Sequence, residues 1–355
     1  MSAQNDISES LQNSVMQAIE NSEVLNIKAG NSKSFYGREA SGNNIELAEH
    51  QGIINYEPTE LVIRARAGTP LTVIEKLLAE NNQMLAFEPP TFNGKATLGG
   101  TIACNFSGPR RAYSGAVRDF VLGTEIINGK GEILSFGGDV IKNVAGYDVS
   151  RLMTGAMGTL GIITQASVKV VPLPEAEITL TQNISIEDAL TKLHQWSGLP
   201  LPISGNCFYK DTLYIRLSGA EKSIRAAHKK MGGELFDKAD AFWNSIKNQS
   251  HDFFTADKNL WRMSLASNTP ELSIDGDTLY EWGGALRWIK SEAPADKIRQ
   301  TGNSVNASTS LFRATGERDK IFQPLPEHLM KLHKNLKQAF DPDNIFNIGR
   351  MYREF

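Results

Sequence analysis

The chain has 355 residues, 41% hydrophobic and 22% charged, a balance that fits a soluble globular protein long enough for two domains. A formal net charge of -3 and a pI near 6.1 exclude nucleic acid as the main partner but leave room for a small anion at basic clusters such as Arg110-Arg111. Two cysteines, Cys104 and Cys207, exclude a disulfide framework and fit a reducing compartment; with no signal-peptide pattern and no apolar run long enough to span a bilayer, the expected location is cytoplasmic, with membrane contact only through partners.

Ile7, Leu11, Val15 and Ile19 fall on one helical face. Val24 to Ile27 reads as a strand running into a glycine- and serine-bearing turn. Leu61 to Ala67 alternates like a strand; Thr69 then reads as an N-cap and Pro70 as the first position of a helix carrying Leu71, Ile74, Leu77 and Leu78. VLGTEIINGKGEILSFGG reads as a hairpin turning through Asn128 to Gly131, YDVSRLM as a short helix, and GIITQASVKVVPLP as a strand ended by Pro172 and Pro174. That proline pair marks a domain boundary. Beyond it, Glu187 to Trp196 reads as a helix, CFYKDTLYIRLSG as a hairpin turning at Lys210-Asp211, and Glu221 to Met231 and Glu327 to Phe340 as further helices. The coarse class is α+β in two lobes, the first rich in glycine clusters and the second not.

Three clusters in the first lobe invite a ligand. KAGNSKSF follows a strand directly, and a turn of small residues there aims successive backbone N–H groups at one spot. ATLGGTIACN leads into a helix start, another place for amides to meet an anion. GAMGTLGIIT spaces Gly155, Gly158 and Gly161 by three before a buried strand. Alone, the first and third read better as plain turns and the second equally as an irregular loop; converging, the three would hold one extended ligand with two phosphates. The GxGxxG fingerprint of a nicotinamide-dinucleotide site is absent, so a dinucleotide here is held differently.

Ala29-Gly30-Asn31-Ser32, ATLGGTIACNFSG and GYDVSRLMTGAMGTLGIIT resemble the FAD-binding domain of the PCMH, or vanillyl-alcohol-oxidase, type. FEPP, GPRR, SGAVRDFVLGTEII, KNVAGYDVSRLM, DTLYIRLSG, WGGALRW and IFNIGRMY extend the resemblance to the FAD-binding subunits of bacterial glycolate oxidase. The resemblance implies a two-subdomain FAD-binding domain over residues 1–174, a smaller α+β cap over 175–335, and a C-terminal segment, 336–355, closing on the FAD domain. It implies that Gly30, Asn31, Ser32, Lys33 and Ser34 wrap the pyrophosphate. Pro89, Thr97, Gly99, Gly100, Ala103, Ser107 and Gly108 would line the flavin side, and Gly158, Gly161 and Ile162 would face the adenosine. Relatives that attach flavin covalently carry histidine where Asn31 stands, so noncovalent FAD is expected. Ala29, Ile348 and Arg350 stand where relatives often have glycine, proline and lysine.

The resemblance also implies oxidation of glycolate, a 2-hydroxy acid, to glyoxylate within a complex. A larger FAD-containing subunit and an iron–sulfur subunit would be the partners, with membrane contact at its inner face. The His-x-Gly-Asp type metal motif of related 2-hydroxy-acid dehydrogenases is absent from this sequence, so no metal site is expected. Arg262, Arg287 and Arg313 are the carboxylate-clamp candidates, and each reads equally as structural. Three readings stay open: a catalytic flavoenzyme, an accessory electron-relay flavoprotein, and an NADPH-dependent flavin reductase of the same fold.

Overall fold

In the computed structural model, residues 4–138, 147–255 and 257–355 are described; the KNVAG part of one motif above, residues 142–146, lies outside them. Two compact units emerge. Unit 1 comprises residues 1–106, 116–172 and 324–355, and unit 2 comprises 107–115 and 173–323. Helix and sheet are mixed in both.

Unit 1 contains a five-stranded antiparallel sheet in the order Ile53–Glu57, Val62–Arg66, Ile162–Lys169, Val121–Ile127, Ile133–Gly137. A separate parallel pair joins Leu25–Lys28 to Asn43–Glu46. The helices Ser8–Asn21, Leu71–Ala79 and Leu98–Cys104 bury Leu11, Val15, Leu71, Ile74, Leu78, Leu98 and Ile102 in one core with the sheet residues Ile63, Ile126, Ile162 and Val168. Their i, i+3, i+4 spacing is what the apolar periodicity anticipates. The start of Leu71–Ala79 differs from expectation. Pro70 is the N-cap, and the Thr69 hydroxyl is drawn instead to the Gly52 backbone, accepting from its N–H at 3.0 Å and donating to its carbonyl at 3.2 Å.

Unit 2 is built on an eight-stranded antiparallel sheet in the order Glu234–Leu235, Ala176–Asn183, Thr212–Gly219, Ile203–Tyr209, Asp277–Glu281, Leu286–Lys290, Leu260–Ser264, Ser308–Arg313. Lys210 and Asp211 form its hairpin turn with both residues left-handed (φ 48° and 59°), the geometry that matches strand twist. The helices Ile186–Ser197 and Glu221–Met231 pack Leu190, Leu193, Ile224 and Ala227 against Leu180, Leu213, Ile215 and Leu217 of the sheet.

The last helix, Glu327–Phe340, returns the chain to unit 1 and buries a charged residue, Lys337. Its ammonium donates to Asp341 Oδ2 at 2.5 Å, Phe346 O at 2.8 Å and Thr159 O at 2.9 Å. Asp341, 1% exposed, accepts from the backbone N–H groups of Ile345 and Phe346. Burial pulls the Lys337 ammonium below its ordinary range, and the Asp341 charge opposes that pull. Removing one member of such a pair strands the other in a dry site. Lys337→Met is therefore expected to lower unfolding free energy by about 3–5 kcal/mol, read from urea midpoints. The double variant Lys337→Met/Asp341→Leu should recover part of that loss. A single-variant loss under about 1 kcal/mol would contradict the buried pair.

Candidate functional site: three loops around a buried lysine

The strand Leu25–Lys28 feeds the first loop. At Gly30 an added Cβ would stand 1.7 Å from the Lys95 carbonyl oxygen, so the first loop touches the second backbone to backbone. Asn31 turns the loop with a left-handed φ of 50°, a conformation asparagine tolerates better than most residues. Asn31 and Ser34 are exposed, Ser32 is half-buried, and Lys33 between them turns inward to 7% exposure. The hydrogen-bond acceptor of its ammonium among the described residues is the neutral Ser32 hydroxyl at 3.3 Å, and the Phe92 ring lies 5.7 Å away. Burial is the main cause that lowers this ammonium to about 8.

The second loop ends in the helix Leu98–Cys104, whose N-cap Thr97 accepts from Gly100 N at 3.3 Å. Its two glycines serve different ends. A Cβ on Gly99 would lie 2.5 Å from Ala67 Cβ, so Gly99 is required by packing inside the protein. A Cβ on Gly100 would meet the capping hydroxyl of Thr97 at 3.1 Å and Lys33 Nζ at 3.8 Å. A side chain at 100 would thus fill the space over the buried ammonium. Cys104 belongs to the same neighbourhood: burial pushes its thiol up, while the positive charges of Lys33 and Arg350 act against that.

The third loop docks on the end of this helix, where Gly155 N donates to Ile102 O at 3.0 Å and Met157 N to Ala103 O at 2.9 Å. Gly158 (φ 74°) lies against Asn347, whose amide donates to Met157 O at 2.7 Å and accepts from Ile27 N at 2.8 Å. Gly161 approaches the Ile127 carbonyl, and Ile162 is fully buried in the sheet core, in register with Ile127. Left-handed non-glycine residues gather in these loops, namely Asn31, Glu88 before the buried Pro89, Phe92, Asn93, Asn105 and Met157. Strain of this kind collects where a ligand is held.

The structure therefore links Gly30, Ser32, Lys33, Thr97, Gly100, Ala103 and Gly158 through direct contacts or shared partners. Ser107 and Gly108 belong to unit 2, where Gly108 O accepts from Trp282 Nε1 at 3.1 Å. Of the three arginine candidates, Arg287 is 1% exposed and donates to the carbonyls of Thr269 (2.5 Å) and Pro270 (2.9 Å). Arg313 donates to Gln249 Oε1 at 2.6 Å, and burial lowers its guanidinium to about 10. Arg262 pairs in register with Trp288 while Arg287 pairs with Met263, so Arg262 and Arg287 leave opposite faces of the sheet. Among the described residues no group of three or more His, Cys, Asp or Glu is placed to hold a metal ion, and no helix is long and apolar enough to cross a membrane. Asn347 had no sequence signal of its own, because its role appears only once the chain end is folded back.

The residues fit an anionic dinucleotide: a buried ammonium with a neutral partner, a glycine that keeps its surroundings open, and hydroxyl donors at Ser32 and Thr97. A sequence family described as FAD binding domain matches residues 7–137. The fold is similar to that of p-cresol methylhydroxylase, with a TM-score of 0.73 at 14% identity over 99% of this chain and 89% of that one. It is also similar to alkyldihydroxyacetonephosphate synthase (TM-score 0.66, 14% identity, 96% of this chain and 75% of that one). The protein is a flavoprotein with a PCMH-type FAD-binding domain. Over 349 residues the chain is 47% identical to glycolate oxidase subunit GlcE of Escherichia coli (strain K12), covering 98% of both. A 141-residue stretch, 39% of this chain and 30% of the relative, is 36% identical to glycolate oxidase subunit GlcD of Bacillus subtilis (strain 168). The chain belongs to the GlcE family of glycolate oxidase subunits.

A contact between the Lys33 ammonium and FAD would give binding a pH dependence of definite sign. The amine carries its charge below about 8 and loses it above, so affinity should be flat near pH 7 and weaken at higher pH. A drop of roughly tenfold between pH 7.5 and 9.5 is expected from losing one charge-assisted contact, measured by quenching of flavin fluorescence. Lys33→Met should bind more weakly at pH 7 and lose the dependence. A wild-type profile flat to pH 9.5 would count against a charged contact between Lys33 and the ligand.

Proposed function

We propose that this chain is a flavin-carrying subunit of a multi-subunit glycolate oxidase, holding FAD noncovalently and serving oxidation of glycolate to glyoxylate beside two partners. The observation that carries this is the end-to-end likeness to a protein named as a glycolate oxidase subunit. When bound, FAD supplies the two-electron acceptor chemistry, and the protein supplies binding, orientation and charge. Lys33 neutralises one charge of the diphosphate, and Ser32 and Thr97 offer hydroxyls. Gly30 and Gly100 let the ligand and the loops approach closely. Asn31 offers an amide, which forms no covalent bond to a flavin, and burial favours the neutral, less nucleophilic form of the Cys104 thiol.

Electrons that reach this flavin need an acceptor outside the chain. The sequence has two cysteines, and an iron–sulfur cluster takes about four thiolates. The resemblance to glycolate oxidase subunits implies the rest of the proposed assembly: an iron–sulfur subunit and a larger FAD subunit that carries the histidine–metal motif. The complex works in the cytoplasm and meets the inner face of the membrane through those partners.

Two measurements bear on this. Acid precipitation of the purified protein should release yellow FAD into the supernatant; flavin retained in the pellet would overturn noncovalent binding. Glycolate–dye reductase activity should be negligible for the chain alone and appear on co-expression with the two partners. Turnover by the chain alone, at the rate of the assembly, would instead make it a self-sufficient enzyme.

A further inference from the structure

One buried histidine in unit 1 lies outside the three flavin loops. His50 is 1% exposed. Its Nδ1 accepts from the backbone N–H of Ile7 at 3.2 Å, and the ring is also hydrogen-bonded to the Thr164 backbone. A backbone N–H can only donate, so Nδ1 carries no proton and the ring is neutral in this arrangement. The contact falls at the start of the helix Ser8–Asn21, whose N-cap, Ile7, offers no side-chain hydrogen bond of its own.

The segment around Ile7 is fastened to the chain near His50 at several points. Asn5 and Gln51 exchange backbone hydrogen bonds at 2.8 and 3.2 Å, and the Gln4 amide donates to Ile53 O at 3.1 Å. Asp6 Oδ2 accepts from Arg66 at 2.8 Å and Oδ1 from Ser8 N at 3.0 Å. Gln4, Asn5 and Asp6 are exposed, whereas His50 is withdrawn from water.

Charges face the ring from three elements. Asp6 Oδ1 lies 3.8 Å from Nδ1. Arg66 comes from the strand Val62–Arg66, and Glu125 from the strand Val121–Ile127, where its Oε1 accepts from the Thr164 hydroxyl at 2.9 Å. Burial is the largest influence and pulls the imidazole below its ordinary range. Arg66 acts in the same direction, and Asp6, the Thr164 backbone and Glu125 oppose it. A proton arriving on Nδ1 meets the Ile7 N–H, donor against donor. The Asp6 carboxylate is already engaged by Arg66 and Ser8, and closing its 3.8 Å gap requires residues 6–8 to shift. Either response breaks the Ile7 contact.

The backbone at His50 also backs the second flavin loop. His50 O accepts from Gly68 N at 2.9 Å, Ala67 O from Gly99 N at 2.8 Å, and Thr69 O from Leu98 N at 3.0 Å. Residues 67–69 therefore lie between His50 and the start of the helix Leu98–Cys104, which carries Gly100. A Cβ on Gly68 would stand 2.0 Å from Leu47 O and 2.6 Å from His50 O, so this packing has no slack.

We propose that His50 is an acid-operated clasp: neutral, it holds residues 4–8 on the segment 50–53; charged, it releases them and loosens the support of the second flavin loop. The sign follows from the neutral ring. Below the ordinary imidazole value of about 6.5 the opened chain takes up a proton that the closed chain resists. The clasp is closed above about pH 6.5 and weakens as the pH falls below it. Lys33 acts on the alkaline side, so the two effects occupy separate ranges.

Amide exchange of the FAD-loaded protein, followed by NMR from about pH 7.5 to about pH 4.5, tests the clasp. The protection factor of the Ile7 N–H should fall about tenfold or more, the worth of one hydrogen bond, in step with the titration of the His50 ring signal. FAD affinity should fall about fivefold over the same range. His50→Asn sets an uncharged amide oxygen near the Nδ1 position, so Ile7 keeps an acceptor and both responses should flatten. Ile7 protection that stays level in the wild type, or that falls equally in His50→Asn, would overturn the clasp. Where His50→Asn fails to fold, the wild type decides alone: Ile7 exchange that does not track the His50 ring signal overturns the proposal. Level FAD affinity while Ile7 opens would overturn the link to the second loop. Failure of the flavin reading shows separately, as missing flavin absorbance with the Ile7 response intact.

Discussion

Unit 1 depends on a chain end that is pulled back and fastened by buried charge. Lys337 and Asp341 neutralise one another out of reach of water while satisfying the backbone of Thr159, Ile345 and Phe346. From that anchor the chain runs beside the first strand: Leu25 N donates to Ile345 O, and Asn347 N to Leu25 O. Asn347 then bridges Ile27 and Met157. Arg350 donates to the carbonyls of Tyr36 at 2.6 Å and Arg38 at 2.7 Å, and reaches that of Lys33 at 3.4 Å. The tail thus holds the first and third loops at once. A lysine at 350 would have one terminal nitrogen and would lack the planar fork that lets Arg350 reach several carbonyls.

That fastening makes the position of Lys33 tolerable. A buried ammonium beside a single neutral hydroxyl is unfavourable on its own, and a loop free to move would carry it to water. With the carbonyl of Lys33 and its neighbours tied to Arg350, the side chain stays inside, where a charge acts through less screening than at the surface. The same rigidity sustains left-handed backbone at Asn31, Asn105 and Met157. Structural constraint and ligand affinity are in this sense one property of the loops.

The local elements were legible where one physical signal dominated. The helices Glu221–Met231 and Glu327–Phe340 follow from apolar spacing, and the Lys210-Asp211 turn from its position between two alternating runs. The three glycine clusters stood out as loops, yet their reasons differ in ways that sequence does not show. Gly30 and Gly99 admit neighbouring protein, whereas Gly100 opens toward Lys33. Thr69 looked like a cap, but the Gly52 backbone competes for its hydroxyl. The strand Leu286–Lys290 gave no alternation to read because all five of its residues are buried. Most distant from the sequence is the cluster at His50, assembled from residues near 6, 50, 66 and 164 that only long-range pairing brings together.

The central claim is that Lys33 is the buried counter-charge of a bound FAD diphosphate. A crystal structure of the chain with FAD measures it directly, through the distance from Lys33 Nζ to the nearest diphosphate oxygen. The account predicts about 2.7–3.2 Å, the range of a charge-assisted hydrogen bond. A diphosphate more than about 6 Å from that nitrogen, beyond direct contact, would contradict it.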